Sequence, residues 1–235
     1  TRITSATGST SIRRKRRGFL GKQRLFVPSL PLLLFFDRDV RLLHALNVNN
    51  SPNDLITAAS TALNPPARAS AYKSRYQNGE RASNFLIEYA YFSRIVRDST
   101  ANLEAVNAYV KAQPKSQLGS KTNFLVLQKL VTDTDNVLFQ YFIDHQPQYQ
   151  KAYGAKDTRD VGEGIIMGTL FSARARNFSP EKIRLLKSYL SKIGLDTRTV
   201  ENRTLVPELT ALLRTGQSAA AVQRANGYLS GPAGP

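Results

Sequence analysis

The stretch that decides the fold reads VPSLPLLLFFD and covers residues 27–37. Its centre, residues 32–36, is a continuous apolar run, which is the pattern of a strand buried on both faces. The polar residues 37–39 follow as a turn, and residues 41–46 (RLLHAL) form a second segment of strand length. The sequence therefore predicts an antiparallel β-hairpin.

A helix is predicted directly after the hairpin. Ser51 is a helix-capping residue, Pro52 suits the first helical position, and Asp54 stands three residues after the cap. Apolar residues then recur at helical spacing as far as Leu63. We therefore expect a helix over residues 51–63, ended by the Asn-Pro-Pro that follows it.

Beyond residue 66 every periodic segment predicts a helix. Strand-like alternation is missing from this half of the sequence, and glycine or proline breakers separate the periodic segments. The predicted spans are 66–78, 80–97, 100–112, 120–131, 135–145, 147–153, 157–176, 179–193, 199–215 and 217–229. Such a succession favours antiparallel helix pairs packed side by side, as in repeat arrays, although no fixed period is present.

The hairpin and its helix resemble the last part of a thioredoxin domain. In that family a proline, usually cis, precedes an apolar strand that ends in Phe-Asp, and Pro31 holds the position of the proline. The second strand and the capped helix match the next strand and the terminal helix of the family. The resemblance covers residues 25–64. It implies an α+β fold with a partial thioredoxin-like hairpin plus helix, followed by a large all-α region of repeat-like helical hairpins.

The helical half extends this resemblance to bacterial thioredoxin-family proteins with a helical C-terminal extension. The similar segments are YQNG at 76–79, VNAYV at 106–110, DTD at 133–135 and YQKAYG at 149–154. Because such proteins are typically exported, the resemblance implies a periplasmic or otherwise exported location, although no signal peptide is visible in this chain. The predicted domains are a disordered basic tail (1–24), a partial thioredoxin-like domain (25–64) and a helical domain (65–230).

The departures from the family are equally specific. The chain contains no cysteine, so the Cys-x-x-Cys motif expected upstream of Pro31 is missing. Without cysteine, thiol–disulfide exchange and thiolate metal sites are excluded. Val40 also stands where a turn glycine is expected. We therefore expect a thioredoxin-like part that is truncated or degenerate at its N-terminus, with no catalytic residue, no cofactor and no metal.

Leu30 and Pro31 are the candidate site residues. In the thioredoxin family the cis-proline position shapes the substrate groove and leaves backbone groups free to pair with a bound peptide. The resemblance therefore implies a substrate groove at Leu30 and Pro31. The residues alone also allow a simpler interpretation, in which Pro31 merely starts an edge strand.

The positive charge is concentrated in one part of the chain. The net charge is +16, and residues 1–26 carry eight basic residues and no acidic one. A solvated tail and a contact with nucleic acid or an anionic membrane are both open, and a nucleic-acid partner is predicted only through this tail. The basic residues of 172–193 form either an anion-binding face or a solvated helix surface. No apolar run approaches the roughly 20 residues of a membrane span.

Several other patterns favour structural roles. Asp37 and Asp39 are expected to form surface ion pairs in a turn. The glycines in GEGIIMG (residues 162–168) are expected to let helices approach closely, because no strand precedes them as a phosphate loop requires. His44 is expected to be a satisfied or surface residue of the second strand.

Three functions remain open from the sequence. The first is a non-catalytic thioredoxin-like protein whose helices serve protein interaction or structural support, with a protein or peptide as partner. The second is a fragment of an active thiol-disulfide oxidoreductase whose dithiol half is missing. The third is a basic nucleic-acid-associated protein.

Overall fold

The computed structural model describes residues 2–4, 21, 23–28, 30–47 and 51–231. These residues form many helices and one small antiparallel sheet, so the fold is α+β, as predicted. The chain divides into two compact units, Thr1–Pro114 and Lys115–Pro235. This division differs from the boundary predicted at residue 64, because the helices that follow that point are grouped with the sheet up to residue 114.

The sheet contains three strands, β1 (Arg2–Thr4), β2 (Leu32–Phe36) and β3 (Leu42–Asn47), in the order β1-β2-β3. β2 pairs with β3 as the predicted hairpin, with Leu34 opposite Ala45. β1 pairs antiparallel with β2 from Leu34 to Phe36. The predicted disorder of residues 1–24 is therefore wrong at residues 2–4, because the open edge of a strand offers unpaired backbone groups to another segment. Apart from residues 21, 23 and 24, the rest of that tail lies outside the described residues.

β2 forms the centre of the core of the first unit. All five of its residues are buried. Leu33 and Phe35 pack against Ala58 and Ala62 of helix α1 (Pro52–Leu63). The predicted cap is confirmed, because the Ser51 hydroxyl accepts a hydrogen bond from the backbone N–H of Asp54 at 3.1 Å.

The remaining elements of the first unit are helical. A 3₁₀ turn at Ala69–Ala71 leads into α2 (Tyr72–Gln77), so the single helix predicted over residues 66–78 is shorter and irregular at its start. α3 (Ser83–Ile95) and α4 (Ser99–Lys111) then form a helical hairpin. A buried hydrogen bond from the Asn102 amide to the Ala90 carbonyl joins the two helices at 3.0 Å.

Within the described residues, the second unit is entirely helical. Its α-helices are α5 (Lys121–Lys129), α6 (Val137–Asp144), α7 (Gln146–Tyr153), α8 (Ala155–Leu170), α9 (Pro180–Lys192), α10 (Thr197–Arg214) and α11 (Ser218–Leu229). Two 3₁₀ turns, Lys115–Gln117 and Ala173–Asn177, connect them to their neighbours. The helix predicted over residues 157–176 therefore ends at Leu170. Helices that follow each other in sequence also pack together, which agrees with the predicted hairpins.

The glycines of α8 mark close contacts between elements. A methyl group at Gly162 would lie 3.0 Å from the Ile193 side chain and 3.2 Å from the Phe142 ring. One at Gly168 would lie 3.3 Å from the Thr132 carbonyl oxygen, whereas Gly164 has open space around it. The predicted close approach is thus confirmed for Gly162 and Gly168 but not for Gly164.

Candidate functional site

Leu30 and Pro31 lie on the surface immediately before the buried strand β2. Leu30 is 65% exposed, although it is a large aliphatic residue, and Pro31 is also exposed. The peptide bond between the two residues is cis. The next residue, Leu32, is already buried, so the accessible part of this segment is confined to Leu30 and Pro31. Throughout this article, the two residues are called the cis-proline corner.

The cis-proline corner is held by side chains from distant parts of the chain. The Asn47 side-chain amide, at the end of β3, donates a hydrogen bond to the Pro31 carbonyl at 2.7 Å. The Tyr91 hydroxyl, on α3, in turn donates to the Asn47 side-chain oxygen. Sequence reasoning missed both residues, because Asn47 reads as the end of a strand and Tyr91 as part of an aromatic core. A partnership over 44 positions leaves no local signal.

Backbone groups of Leu30 remain available at this corner. No hydrogen bond joins the Leu30 backbone to any other residue in the part of the chain that the structure describes. A free N–H and C=O beside an exposed apolar side chain are what an extended peptide needs for strand-like pairing. The Pro31 carbonyl, by contrast, is occupied by Asn47. The geometry therefore favours pairing through Leu30, with Pro31 as a fixed support.

His44 fixes the opposite side of the hairpin. Its ring is buried on β3, and its Nδ1 accepts a hydrogen bond from the backbone N–H of Ala69 at 3.0 Å. Burial lowers the pKa of His44, which keeps the ring neutral and able to accept this bond. His44 is thus a satisfied core histidine that ties β3 to the segment before α2.

The turn between β2 and β3 carries the predicted surface ion pairs. The Arg41 guanidinium contacts the carboxylates of Asp37 at 2.8 Å and Asp39 at 2.9 Å. The Arg41 backbone N–H, together with its side chain, holds the pKa of Asp37 below its usual range. Val40 has a φ of 63°, a left-handed conformation that strains a β-branched residue. This is the position at which the sequence predicted a missing glycine.

The basic residues of the second unit do not form an anion-binding face. Five of the six that suggested such a face are paired with carboxylates, and Arg176 alone has no such partner among the described residues. The pairs are Arg174 with Asp133 and Asp135, Lys182 with Asp135, Arg184 with Glu181, Lys187 with Glu201 and Glu208, and Lys192 with Asp144. Their charges are therefore largely neutralised within the unit.

One of these clusters is a four-membered charge network at the inner side of α10. Glu201 and Glu208 of α10 contact Lys187 from α9 and Arg224 from α11. Burial raises the pKa of Glu201, but the two cations lower it more, so the net shift is downward. The network joins three consecutive helices and has a structural role.

Two further kinds of site were tested against the coordinates. Among residues 2–4, 21, 23–28, 30–47 and 51–231, no group of three or more histidine or carboxylate side chains is placed to hold a metal ion. No helix in these ranges combines the length and the apolar character that crossing a bilayer requires.

Comparison of the chain with protein-family models, with curated proteins and with solved structures gives no match. The functional argument therefore rests on the residues and the geometry described above.

Proposed function

We propose that this protein is a non-catalytic thioredoxin-like protein that binds an extended segment of a protein partner at the cis-proline corner, with its helices serving further protein contacts. The observation that carries the proposal is the combination of an exposed Leu30 side chain, an unpaired Leu30 backbone and a Pro31 carbonyl fixed by Asn47. On the family resemblance, we also place the protein in the periplasm or another exported location.

The arrangement of the hairpin supports the thioredoxin-like part of the proposal. A proline-led apolar strand, an antiparallel neighbour and a capped helix follow one another in the order that the resemblance implies. α1 packs its small residues on one face of the strands, as a terminal thioredoxin helix does. The cis bond before Pro31 also agrees with that order.

The absence of cysteine defines what binding at this corner can achieve. A thioredoxin acts on its bound peptide through a thiolate, and this sequence supplies no sulfur nucleophile. Binding without reaction is the function that remains for the same surface in this chain. The Leu30 side chain would supply about 1.5–3 kcal/mol if a partner covered it fully.

A displayed library of extended peptides tests the proposal. Peptides selected on the wild-type chain should bind Leu30→Asp at least about tenfold more weakly, because the substitution removes an apolar contact and adds a charge. Ile56→Asp is the matched control, since Ile56 of α1 is exposed to the same 65% but lies outside the cis-proline corner.

Two results would contradict the proposal. One is equal binding of the selected peptides to wild-type protein and Leu30→Asp. The other is an equal loss of binding in both aspartate variants, since this would show a general effect of charge. Circular dichroism spectra of both variants establish that they are folded.

A basic nucleic-acid-associated protein is the second candidate function, and it is favoured by the concentration of charge in residues 1–26. Because the cations of the second unit are mostly paired, this function depends on the N-terminal block Arg13–Arg17. Replacing these five residues by glutamine should abolish binding of a DNA duplex and its dependence on salt. Unchanged binding would exclude the tail as the contact.

A further inference from the structure

The last two helices of the second unit leave large aliphatic side chains uncovered. Val206 and Leu213 of α10 are 68% and 57% exposed, and Val222 and Leu229 of α11 are 60% and 62% exposed. Isolated exposed aliphatic residues are ordinary, but four on one helical hairpin are not scattered.

On α10 the two exposed residues lie opposite the buried face. Thr204, Glu208 and Ala211 are buried and define the inner side of this helix. At 100° per residue, Val206 and Leu213 fall on the opposite side, two turns apart. They therefore form a stripe along the outer side of α10.

The stripe has a basic flank and no acidic one. Arg203 and Arg214 are eleven residues apart, about three turns, so both lie on the same side of the stripe. The Arg203 side chain is half exposed and contacts Glu163, and Arg214 donates a hydrogen bond to the Phe178 carbonyl. The two carboxylates of α10, Glu201 and Glu208, face inward to Lys187 and Arg224. The outer side of α10 is thus aliphatic and positively charged.

We infer that the outer side of α10 binds an amphipathic helix with an acidic flank, contributed by a protein partner. An aliphatic stripe at helical spacing matches the apolar face of such a helix, and the arginines match its carboxylates. A second copy of this chain is disfavoured, because a net charge of +16 makes two copies repel each other. A nucleic acid is disfavoured, because the stripe offers no aromatic ring for base stacking. The inference rests on the part of the proposed function that assigns protein contacts to the helices.

A displayed library of helical peptides, about five turns long, tests the inference. Its exposed positions are drawn from alanine, leucine, glutamate, glutamine and lysine. Peptides selected on the full chain should be enriched in leucines three or four positions apart, with glutamates beside them. Their binding should fall at least about tenfold with Val206→Gln combined with Leu213→Gln. Leu125→Gln and Leu185→Gln, at exposed leucines of other helices, should leave binding unchanged.

A charge reversal separates recognition from simple adhesion. Arg203→Glu combined with Arg214→Glu should lose the glutamate-rich peptides and gain their lysine-substituted versions. The inference is overturned if the library yields no binder, if the selected peptides are not acidic, or if the stripe variants bind as the wild-type chain does. Leu30→Asp should bind these helical peptides normally, so a failure here is distinguishable from a failure at the cis-proline corner.

Discussion

The two compact units of this protein reach a packed core by different routes. In the first unit the core depends on strands and on polar contacts between residues that are far apart in sequence, such as His44 with Ala69 and Tyr91 with Asn47. In the second unit helices that are neighbours in sequence pack pairwise, and their close contacts depend on small residues such as Gly162. The comparison shows why the candidate site lies where it does, because only the first unit brings distant backbone groups together at an exposed corner.

The largest expected effect is on the core of β2. Phe35→Ala should lower the free energy of unfolding of the first unit by about 3–5 kcal/mol, because Phe35 is buried against α1 and a cavity would remain. Hydrogen exchange of the β2 and β3 amides measures this loss. Leu30→Ala, at an exposed position, should change the same exchange rates little. Similar exchange in the two variants would show that β2 is not the centre of the core.

A valine scan of α8 tests the contribution of close helix contacts. Gly162→Val should be less stable than Gly164→Val by about 2 kcal/mol, because the larger side chain meets Ile193 and Phe142 only at position 162. Both substitutions make the same change in helix propensity, so the difference between their thermal unfolding curves isolates packing. Equal stability of the two variants would remove the proposed reason for the glycine.

His44 gives the first unit a pH dependence. Its pKa is lowered on folding, so the folded state favours the neutral ring, and the stability this provides is complete above about pH 6.5. As the pH falls below that value, toward the lower folded pKa, the stability should be lost. His44→Leu should cost about 1–3 kcal/mol near neutral pH by leaving the Ala69 N–H without an acceptor, and it should remove this pH dependence.

Exchange of the Ala69 amide between pH 5 and pH 8 is the readout for His44. His145→Gln leaves His44 in place and serves as the control, because it should keep the pH dependence. A pH dependence that disappears in His145→Gln and persists in His44→Leu would assign the effect to the wrong histidine.

How much of the fold the sequence could predict follows from the same contrast. The hairpin, the cap at Ser51 and the succession of helices were predictable, because their signals are local: an apolar run, a capping residue and breakers. β1 and the hydrogen bonds of Asn47 could not be predicted, because each depends on a partner that the fold brings from elsewhere. Pro31 was found through a resemblance, and Leu30 through its position beside Pro31. The anion-binding alternative for residues 172–193 failed because the carboxylates that pair with those cations lie mostly on other elements.

The smallest expected effect is at the hairpin turn. Val40→Gly should raise the stability of the first unit by about 1 kcal/mol, because glycine adopts a φ of 63° without the steric cost that valine has. Val40→Ala keeps the Cβ atom and should gain less. Urea unfolding followed by hydrogen exchange at β3 compares the three chains, and a loss of stability in Val40→Gly would contradict the assignment of strain.

Hydrogen exchange at Leu30 tests the proposed function most directly. The Leu30 amide of the free chain should exchange quickly, and saturation with an extended peptide selected from the library should slow it strongly while leaving the α10 amides unchanged. Bound peptide with an unchanged Leu30 rate, and slowed amides elsewhere, would show that the partner occupies a different surface.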